Sequence, residues 1–161
     1  SVATAEGDHQ EARTLADRLR EQLHTVGPRH VAQGHATAVA LAALADTEMQ
    51  DGDVDRARST LTESFQTAVP TQDMPVVAAV GVAVARLAAE LGENRAAAVV
   101  LGAAARLRGA DDLTDQRILQ LRERLAARLG PELDVAYREG RSLDRASAIE
   151  RLDPSRLPAV G

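Results

Sequence analysis

Residues 76–91, VVAAVGVAVARLAAEL, and residues 95–108, RAAAVVLGAAARLR, are the most apolar part of the chain and decide its fold class. The uninterrupted apolar part, residues 75–85, is about half of the roughly 20 residues that a membrane-spanning helix needs. Valine alternates with small residues over 80–84, as in a strand, but the small residues give no polar face. Strong helix formers follow, and the whole run is too long for a typical strand. The stretch therefore predicts a helix that is buried on most of its sides.

The composition agrees with a helical fold. Aromatic residues make up 1% of the chain, while alanine and leucine are abundant, which favours helices that approach one another closely. A length of 161 residues is enough for one domain with a substantial core. We therefore expect a single all-α domain.

Composition and charge also exclude several kinds of site and partner. The chain has no cysteine, which excludes disulfide bonds, thiolate metal sites and cysteine nucleophiles and is compatible with a reducing cytoplasm. The net charge of −5 at pH 7 gives no positive surface for nucleic acid or for an anionic membrane. The first residues lack the basic start and apolar run of a secretory signal. We expect a cytoplasmic protein that neither binds nucleic acid directly nor associates with a membrane.

A short motif occurs three times and predicts how the helices are organised. Gly7-Asp8-His9-Gln10-Glu11-Ala12-Arg13 is echoed by Gly52-Asp53-Val54-Asp55-Arg56-Ala57-Arg58 and more loosely by Gly92-Glu93-Asn94-Arg95-Ala96-Ala97. Glycine ends one helix in a left-handed conformation, the acidic residue favours the next N-terminus, and alanine allows close packing. The pattern resembles the tetratricopeptide class. It predicts an α-solenoid of antiparallel helical hairpins with about seven or eight helices.

The motif and the apolar spacing place the elements. We predict helices over 8–25, 31–50, 53–69, 73–91, 93–108 and 115–129, then a short helix ending at Gly140 and a last helix capped by Ser142.

The same pattern predicts the domain limits. Residues 1–152 form one helical-repeat domain, whose C-terminal cap covers about 114–152 and starts with Thr114 as a helix cap, and residues 153–161 form an irregular tail. About six residues precede Gly7, so the first hairpin is truncated. We expect the C-terminal portion of a longer protein, with an uncapped first repeat that favours homodimer formation.

Histidines are the first candidates for a metal site. His24, His30 and His35 are separated by six and five residues, a spacing that turns the rings to different sides of a helix. The i, i+4 spacing that brings two imidazoles to one metal ion is missing. We therefore expect surface or partly buried histidines and no metal site.

Charged residues and motifs give no sign of catalysis. Arg86 and Glu90 lie four residues apart in a predicted helix, which predicts a surface ion pair. Arg122, Arg124 and Arg128 lack aromatic partners, which argues against a nucleic-acid site. The chain has no nucleophile elbow and no phosphate-binding glycine loop. We expect a protein that is not an enzyme and uses no cofactor.

One polar stripe is a candidate binding face. His30, Gln33 and Thr37 follow i, i+3, i+7 at the start of the helix over 31–50. The first helices of stacked hairpins commonly line a concave surface, where such a stripe faces a ligand. The alternative is the solvated end of a mostly buried helix.

The C-terminal part of the chain resembles a known family. The stretch LGAAARLRGA at 101–110 and the stretch LRERLAARLGPELDVAYREGRSLDRASAIE at 121–150 resemble the C-terminal tetratricopeptide-like domain of actinobacterial multidomain regulators. These are LuxR-type and AfsR-like transcription regulators built on an ATPase module. The resemblance covers about the last 60 residues. It departs at Tyr137, where the family usually has tryptophan, and at Ala105, where it has an acidic residue.

The resemblance implies a non-catalytic regulatory domain of a bacterial transcription regulator. Such a domain binds a protein or small-molecule effector and relays the binding to upstream ATPase and DNA-binding modules of the same chain. Two alternatives stay open: the C-terminal repeat domain of a signalling enzyme, either an adenylate cyclase or a kinase, and a stand-alone adaptor. The matched positions imply packing and helix capping, and none of them implies chemistry.

Overall fold

The fold is all-α, as the sequence predicts. The computed structural model describes residues 2–26 and 31–158, and within these residues it contains α-helices and two short 3₁₀ turns but no strand. None of the described helices is long and apolar enough to cross a membrane. The helices are α1 (Val2–Val26), α2 (Val31–Gln50), α3 (Val54–Ala68), α4 (Met74–Glu90), α5 (Asn94–Arg108), α6 (Gln116–Leu129), α7 (Glu132–Arg141) and α8 (Arg145–Arg151).

Two of the three repeated motifs form hairpin turns. Gly52 ends the α2 turn with φ +80° and Gly92 ends the α4 turn with φ +78°, a backbone conformation that residues with a Cβ rarely adopt. The carboxylate of Asp53 then accepts a hydrogen bond from the backbone N–H of Arg56 at the start of α3. The glycine therefore acts as the motif predicts in both turns, whereas the acidic residue caps the next helix at Asp53 and makes no side-chain cap at Glu93.

The turn predicted at Gly7 is wrong. Gly7 lies inside α1, which begins at Val2 rather than at residue 8, and its φ is not positive. One glycine inside a helix costs only about 1 kcal/mol relative to alanine, so the helix continues through it. The prediction of a truncated first hairpin rests on this turn, so it loses that support. The homodimer through an uncapped repeat stays a prediction.

Helix α4 is the centre of the molecule. Every residue from Val80 to Ala89 is buried except Arg86. Helix α4 packs against α5, α2 and α3, so the hairpins α2–α3 and α4–α5 lie side by side. Each fully buried valine or leucine stabilises the fold by about 1.5–3 kcal/mol. The prediction from residues 76–91 of a helix buried on most of its sides is confirmed.

Helices α6 and α7 depart from this hairpin packing. Helix α7 packs extensively on α5, whereas α6 has few contacts with α4 and α7. A Cβ at Gly102 would overlap the carbonyl oxygen of Tyr137, and a Cβ at Gly140 would overlap that of Val99. The two helix backbones meet at these glycines, which draws α7 onto α5. Helix α6 buries Ile118, Leu121 and Leu125 in the core, and its polar side lines a groove together with α2 and α4.

The N-terminal caps of α6 and α8 differ from the prediction. Asp115, rather than Thr114, caps α6 through its carboxylate, and Asp144, rather than Ser142, caps α8. The ionised carboxylates accept a hydrogen bond from the first turn of each helix and also interact favourably with the helix dipole, which a hydroxyl does not.

The C-terminal tail is more ordered than predicted. Pro154–Arg156 form a 3₁₀ turn that packs against α3, and Leu157 is buried. The guanidinium of Arg58 donates hydrogen bonds to the carbonyl oxygens of Leu157 and Pro158. Pro154 and the buried Leu157 hold the segment in place without a regular helix. The end of the predicted irregular tail, residues 159–161, lies outside the described residues.

Candidate functional site

Two residues of the stripe predicted from the sequence, Gln33 and Thr37, contact α1 in the structure. Gln33 donates a hydrogen bond from its amide to the side-chain oxygen of Gln22 on α1, at 3.0 Å. Thr37 is 1% exposed, and its hydroxyl donates to the carbonyl oxygen of Gln33 at 2.8 Å. Both residues therefore face α1, because this side of α2 packs against that helix. His30 lies outside the described residues.

Two of the described histidines lie in separate pairs with aspartates. His9 Nδ1 lies 3.0 Å from Asp51 Oδ1, and His35 Nε2 lies 3.5 Å from Asp73 Oδ2. His24 is exposed at the end of α1. No three His, Cys, Asp or Glu side chains converge as a metal site in residues 2–26 and 31–158.

A different site lies between α2, α4 and α6. A groove of about 370 Å³ opens where α6 stands away from α4, and side chains of all three helices line it. Its volume lies within the range of ligand-binding clefts. We call it the polar groove, and its lining residues are Asp46, Gln50, Arg86, Arg117, Gln120, Leu121 and Arg124.

Helical spacing explains how the chain brings these side chains together. Asp46 and Gln50 are four residues apart on α2, and Arg117, Gln120 and Arg124 follow i, i+3, i+7 on α6. Each set therefore lies on one face of its helix. The weak packing of α6 against α4 leaves these faces open to the groove.

Asp46 is the charged group that joins the three helices. Its Oδ1 lies 3.4 Å from Arg86 Nη1 on α4, and its Oδ2 lies 3.9 Å from Arg117 Nη1 on α6. Arg117 also pairs with Asp115 at 3.0 Å. Asp46 therefore adds an electrostatic link from α2 to α6 and to α4, and α4 also packs directly against α2.

Burial makes the charge of Asp46 costly. Its side chain is only 15% exposed, and within the described residues Oδ1 has no hydrogen-bond donor. Burial raises the pKa of Asp46 above its ordinary value, and the opposing effect of Arg86 and Arg117 is too small to cancel this shift. The two arginines thus compensate the buried charge only in part.

The ion pair predicted between Arg86 and Glu90 does not form. Arg86 pairs with Asp46, while Glu90 accepts a hydrogen bond from Arg124 of α6 at 2.8 Å. Partners on neighbouring helices lie closer than the residue four positions away on α4. Among the described residues, Asp46 is the only ion-pair partner of Arg86. A guanidinium has five N–H donors, so Arg86 has donors to spare at the groove.

An apolar stripe continues the groove along α2. Ala36, Val39 and Ala43 are exposed, and they share a helix face with Asp46 and Gln50 at spacings of three and four residues. Val39 is 49% exposed, which is unusual for a large apolar side chain in this protein. The face of α2 is therefore apolar in its first half and polar in its second half.

A second polar cluster surrounds Tyr137 on α7. Its hydroxyl donates a hydrogen bond to the carboxylate of Asp111, and the guanidinium of Arg122 lies 4.6 Å from the ring centroid. Burial raises the pKa of Tyr137 to about 12, and the hydrogen bond to Asp111 adds to this effect. The space beside the ring is only about 10 Å³, so this cluster fills its own cavity and offers no room for a ligand.

The sequence contained a signal for the polar groove, although it was weak. Arg86 is the single charged residue in an otherwise apolar helix over 76–89, and Asp46 follows a long apolar run on α2. Charges in such positions need partners on other helices. The distance between α6 and α4, which creates the groove, has no comparable signal in the sequence.

Comparison of the chain with protein-family models, with curated proteins and with solved structures finds no match. The geometry of the polar groove is therefore the main guide to function.

Proposed function

We propose that this chain is a non-catalytic regulatory domain of a bacterial transcription regulator. It binds an effector or a partner protein in the polar groove and relays this binding to upstream ATPase and DNA-binding modules. The observation that carries the proposal is the groove itself, with its volume of about 370 Å³ and its lining from three helices. The resemblance of residues 101–150 to the C-terminal domain of LuxR-type and AfsR-like regulators supports the choice of parent protein.

The side chains of the groove favour binding over catalysis. Its lining consists of arginine, glutamine, leucine and one aspartate, and that aspartate is paired with two arginines. The lining supplies no hydroxyl, thiol or amine nucleophile, and its one carboxylate, Asp46, has no histidine or second carboxylate beside it in the lining to act as a base. Arginine and glutamine instead provide many hydrogen-bond donors, which orient a bound ligand.

The position of the groove supports a relay of binding. Its lining comes from three helices, α2, α4 and α6, and the contact between α4 and α6 is limited. A ligand that touches all three helices binds one arrangement of α6 more tightly than another, and this difference in affinity shifts the conformational equilibrium.

Filling the groove tests this proposal in cells. Gln50→Trp and Gln120→Trp each place a large side chain in the groove, and Gln66→Trp places the same side chain at an exposed position of α3. Each variant replaces the chromosomal gene, and RNA sequencing follows the transcripts that change when the gene is deleted. We expect the two groove variants to alter these transcripts and Gln66→Trp to leave them unchanged.

Thermal unfolding of the purified variants shows whether each of them is folded. If both groove variants fold and regulate transcription like the natural protein, the groove is not the effector site and the proposal is wrong.

A further inference from the structure

We propose that the polar groove recognises an acidic residue flanked by apolar side chains on a partner protein, and that Asp46 holds the place of that carboxylate in the unbound protein. This inference rests on the proposed function, because it names the class of ligand for the same groove. Four observations on α2, α4 and α6 lead to it.

The first observation is the loose pairing of Asp46. Charge-assisted hydrogen bonds between guanidinium and carboxylate groups are usually about 2.7–2.9 Å long. Asp46 lies 3.4 Å from Arg86 and 3.9 Å from Arg117, and its Oδ1 has no hydrogen-bond donor among the described residues. Two arginines from different helices thus converge on one carboxylate without forming close hydrogen bonds to it.

The second observation concerns the two arginines. Arg117 is also held by Asp115, at 3.0 Å, whereas Asp46 is the only ion-pair partner of Arg86 in the described part of the chain. Arg86 is 28% exposed and lines the groove. A ligand carboxylate in the groove can therefore accept the N–H groups of Arg86 that Asp46 leaves unused.

The third observation is that the charge of Asp46 is disfavoured at the position where it lies. Its ionised form is disfavoured by burial, which raises its pKa despite the neighbouring arginines. Two carboxylates beside the same guanidinium groups repel each other, so a ligand carboxylate must displace Asp46 or leave it protonated. Asp46 is then a competitor of the ligand.

The fourth observation identifies a peptide rather than a small organic acid. The face of α2 continues from Asp46 through the exposed residues Ala43, Val39 and Ala36, away from the arginines. From Ala36 to Gln50 the helix rises about 21 Å, which is longer than a small acid can cover. A peptide that places its acidic side chain at Arg86 and its apolar side chains along Val39 covers both parts of this face.

A random peptide library displayed on phage is the probe for this inference. The library is selected in parallel on the whole natural chain and on Gln50→Trp, in which the groove is filled. We expect the natural chain to enrich peptides that carry Asp or Glu next to Leu, Ile, Val or Phe, and Gln50→Trp not to enrich them. Enrichment of peptides without an acidic residue, or no enrichment, overturns the inference.

The affinity of the selected peptide for two variants then shows whether Asp46 competes with the ligand or only has a structural role. Fluorescence anisotropy measures its affinity for Asp46→Asn and for Arg86→Gln. We expect Asp46→Asn to tighten binding about tenfold and Arg86→Gln to weaken it about tenfold, since each changes the balance of charge at one site. Asp8→Asn and Arg138→Gln, at exposed positions of α1 and α7, make the same chemical changes elsewhere and should have no effect.

Equal or weaker binding by Asp46→Asn shows that Asp46 does not compete with the ligand, and the inference then fails. Succinate serves as the small-acid probe, and displacement of the peptide by succinate at a similar concentration would overturn the choice of a peptide. If the groove-filling variants alter transcription but acidic peptides do not bind, the proposed function stands and only this inference is wrong.

Discussion

Asp46 shows how one residue can oppose the stability of the fold that contains it. The carboxylate lies between α2, α4 and α6, where it is largely removed from water and only loosely paired with Arg86 and Arg117. Burying a charge costs free energy unless close hydrogen bonds replace its hydration. The raised pKa of Asp46 indicates that its contacts with the protein do not fully replace the hydration of the carboxylate.

Asp46→Asn is therefore expected to raise the melting temperature near neutral pH. Because the pKa of Asp46 is higher in the folded than in the unfolded state, the folded state binds the proton more tightly. The stability that this proton provides is present in acid and is lost as the pH rises through the folded-state pKa. Asparagine does not ionise, so the variant does not lose this stability as the pH rises. The difference in melting temperature between Asp46→Asn and the natural protein should shrink as the pH falls below the folded-state pKa of Asp46. Calorimetry over a pH series would measure this difference. A lower melting temperature at neutral pH would show instead that the ion pairs stabilise the fold.

Tyr137 permits a second test on a single residue, because it is the only tyrosine in the chain. Burial and the hydrogen bond to Asp111 raise its pKa to about 12, so ultraviolet absorbance should detect the phenolate only near that pH. The folded state keeps this proton longer than the unfolded state, and stability should fall as the pH rises from about 10 to 12. Asp111→Asn should lower the pKa of Tyr137, whereas Asp134→Asn, at an exposed position of α7, should leave it unchanged. An unshifted midpoint in Asp111→Asn would contradict the hydrogen bond.

At the scale of elements, two glycines set the contact between α5 and α7. Gly102 and Gly140 let the two helix backbones meet, since a Cβ at either position would overlap a carbonyl oxygen of the other helix. Helix α6 instead joins the core through buried side chains, which are Ile118, Leu121 and Leu125.

Gly102→Ala and Gly140→Ala should each reduce the free energy of unfolding by about 1–3 kcal/mol or more, because the added methyl meets a carbonyl oxygen that cannot move alone. Gly7→Ala is the matched control, since it lies in α1 with no atom within 4 Å of an added Cβ. It should instead stabilise the protein by about 0.5–1 kcal/mol. Urea unfolding measures all three. Equal effects at the three positions would contradict the close contact of α5 and α7.

Most of the elements were predictable from the sequence because local signals agree. Apolar spacing, the glycines at 52 and 92 and the acidic residues that follow them point to the same helix limits. At Gly7 the same motif predicts a turn that does not form, because the residues before Gly7 also favour a helix. A motif of glycine and acid predicts a turn only where the preceding helix has already come to its end.

For the whole molecule, local signals predict much less. The stripe chosen from the sequence contains Thr37, which packs against α1, while the groove residues Asp46, Arg86 and Arg117 come from three separate helices. Spacing along one helix identifies its faces but not which face meets a neighbour. That assignment depends on contacts between helices that are far apart in the sequence, such as α2 with α4 and α4 with α6.

The whole molecule should have one binding surface, formed by the polar groove and the exposed face of α2, and amide chemical-shift mapping by NMR can locate it. A saturating amount of the selected acidic peptide is added to the isotope-labelled protein. Binding in the polar groove should shift the amides around Gln50, Arg86 and Gln120 and those along the exposed face of α2 near Val39. Shifts confined to the exposed surfaces of α3 or α7, with none around the polar groove, would contradict the account.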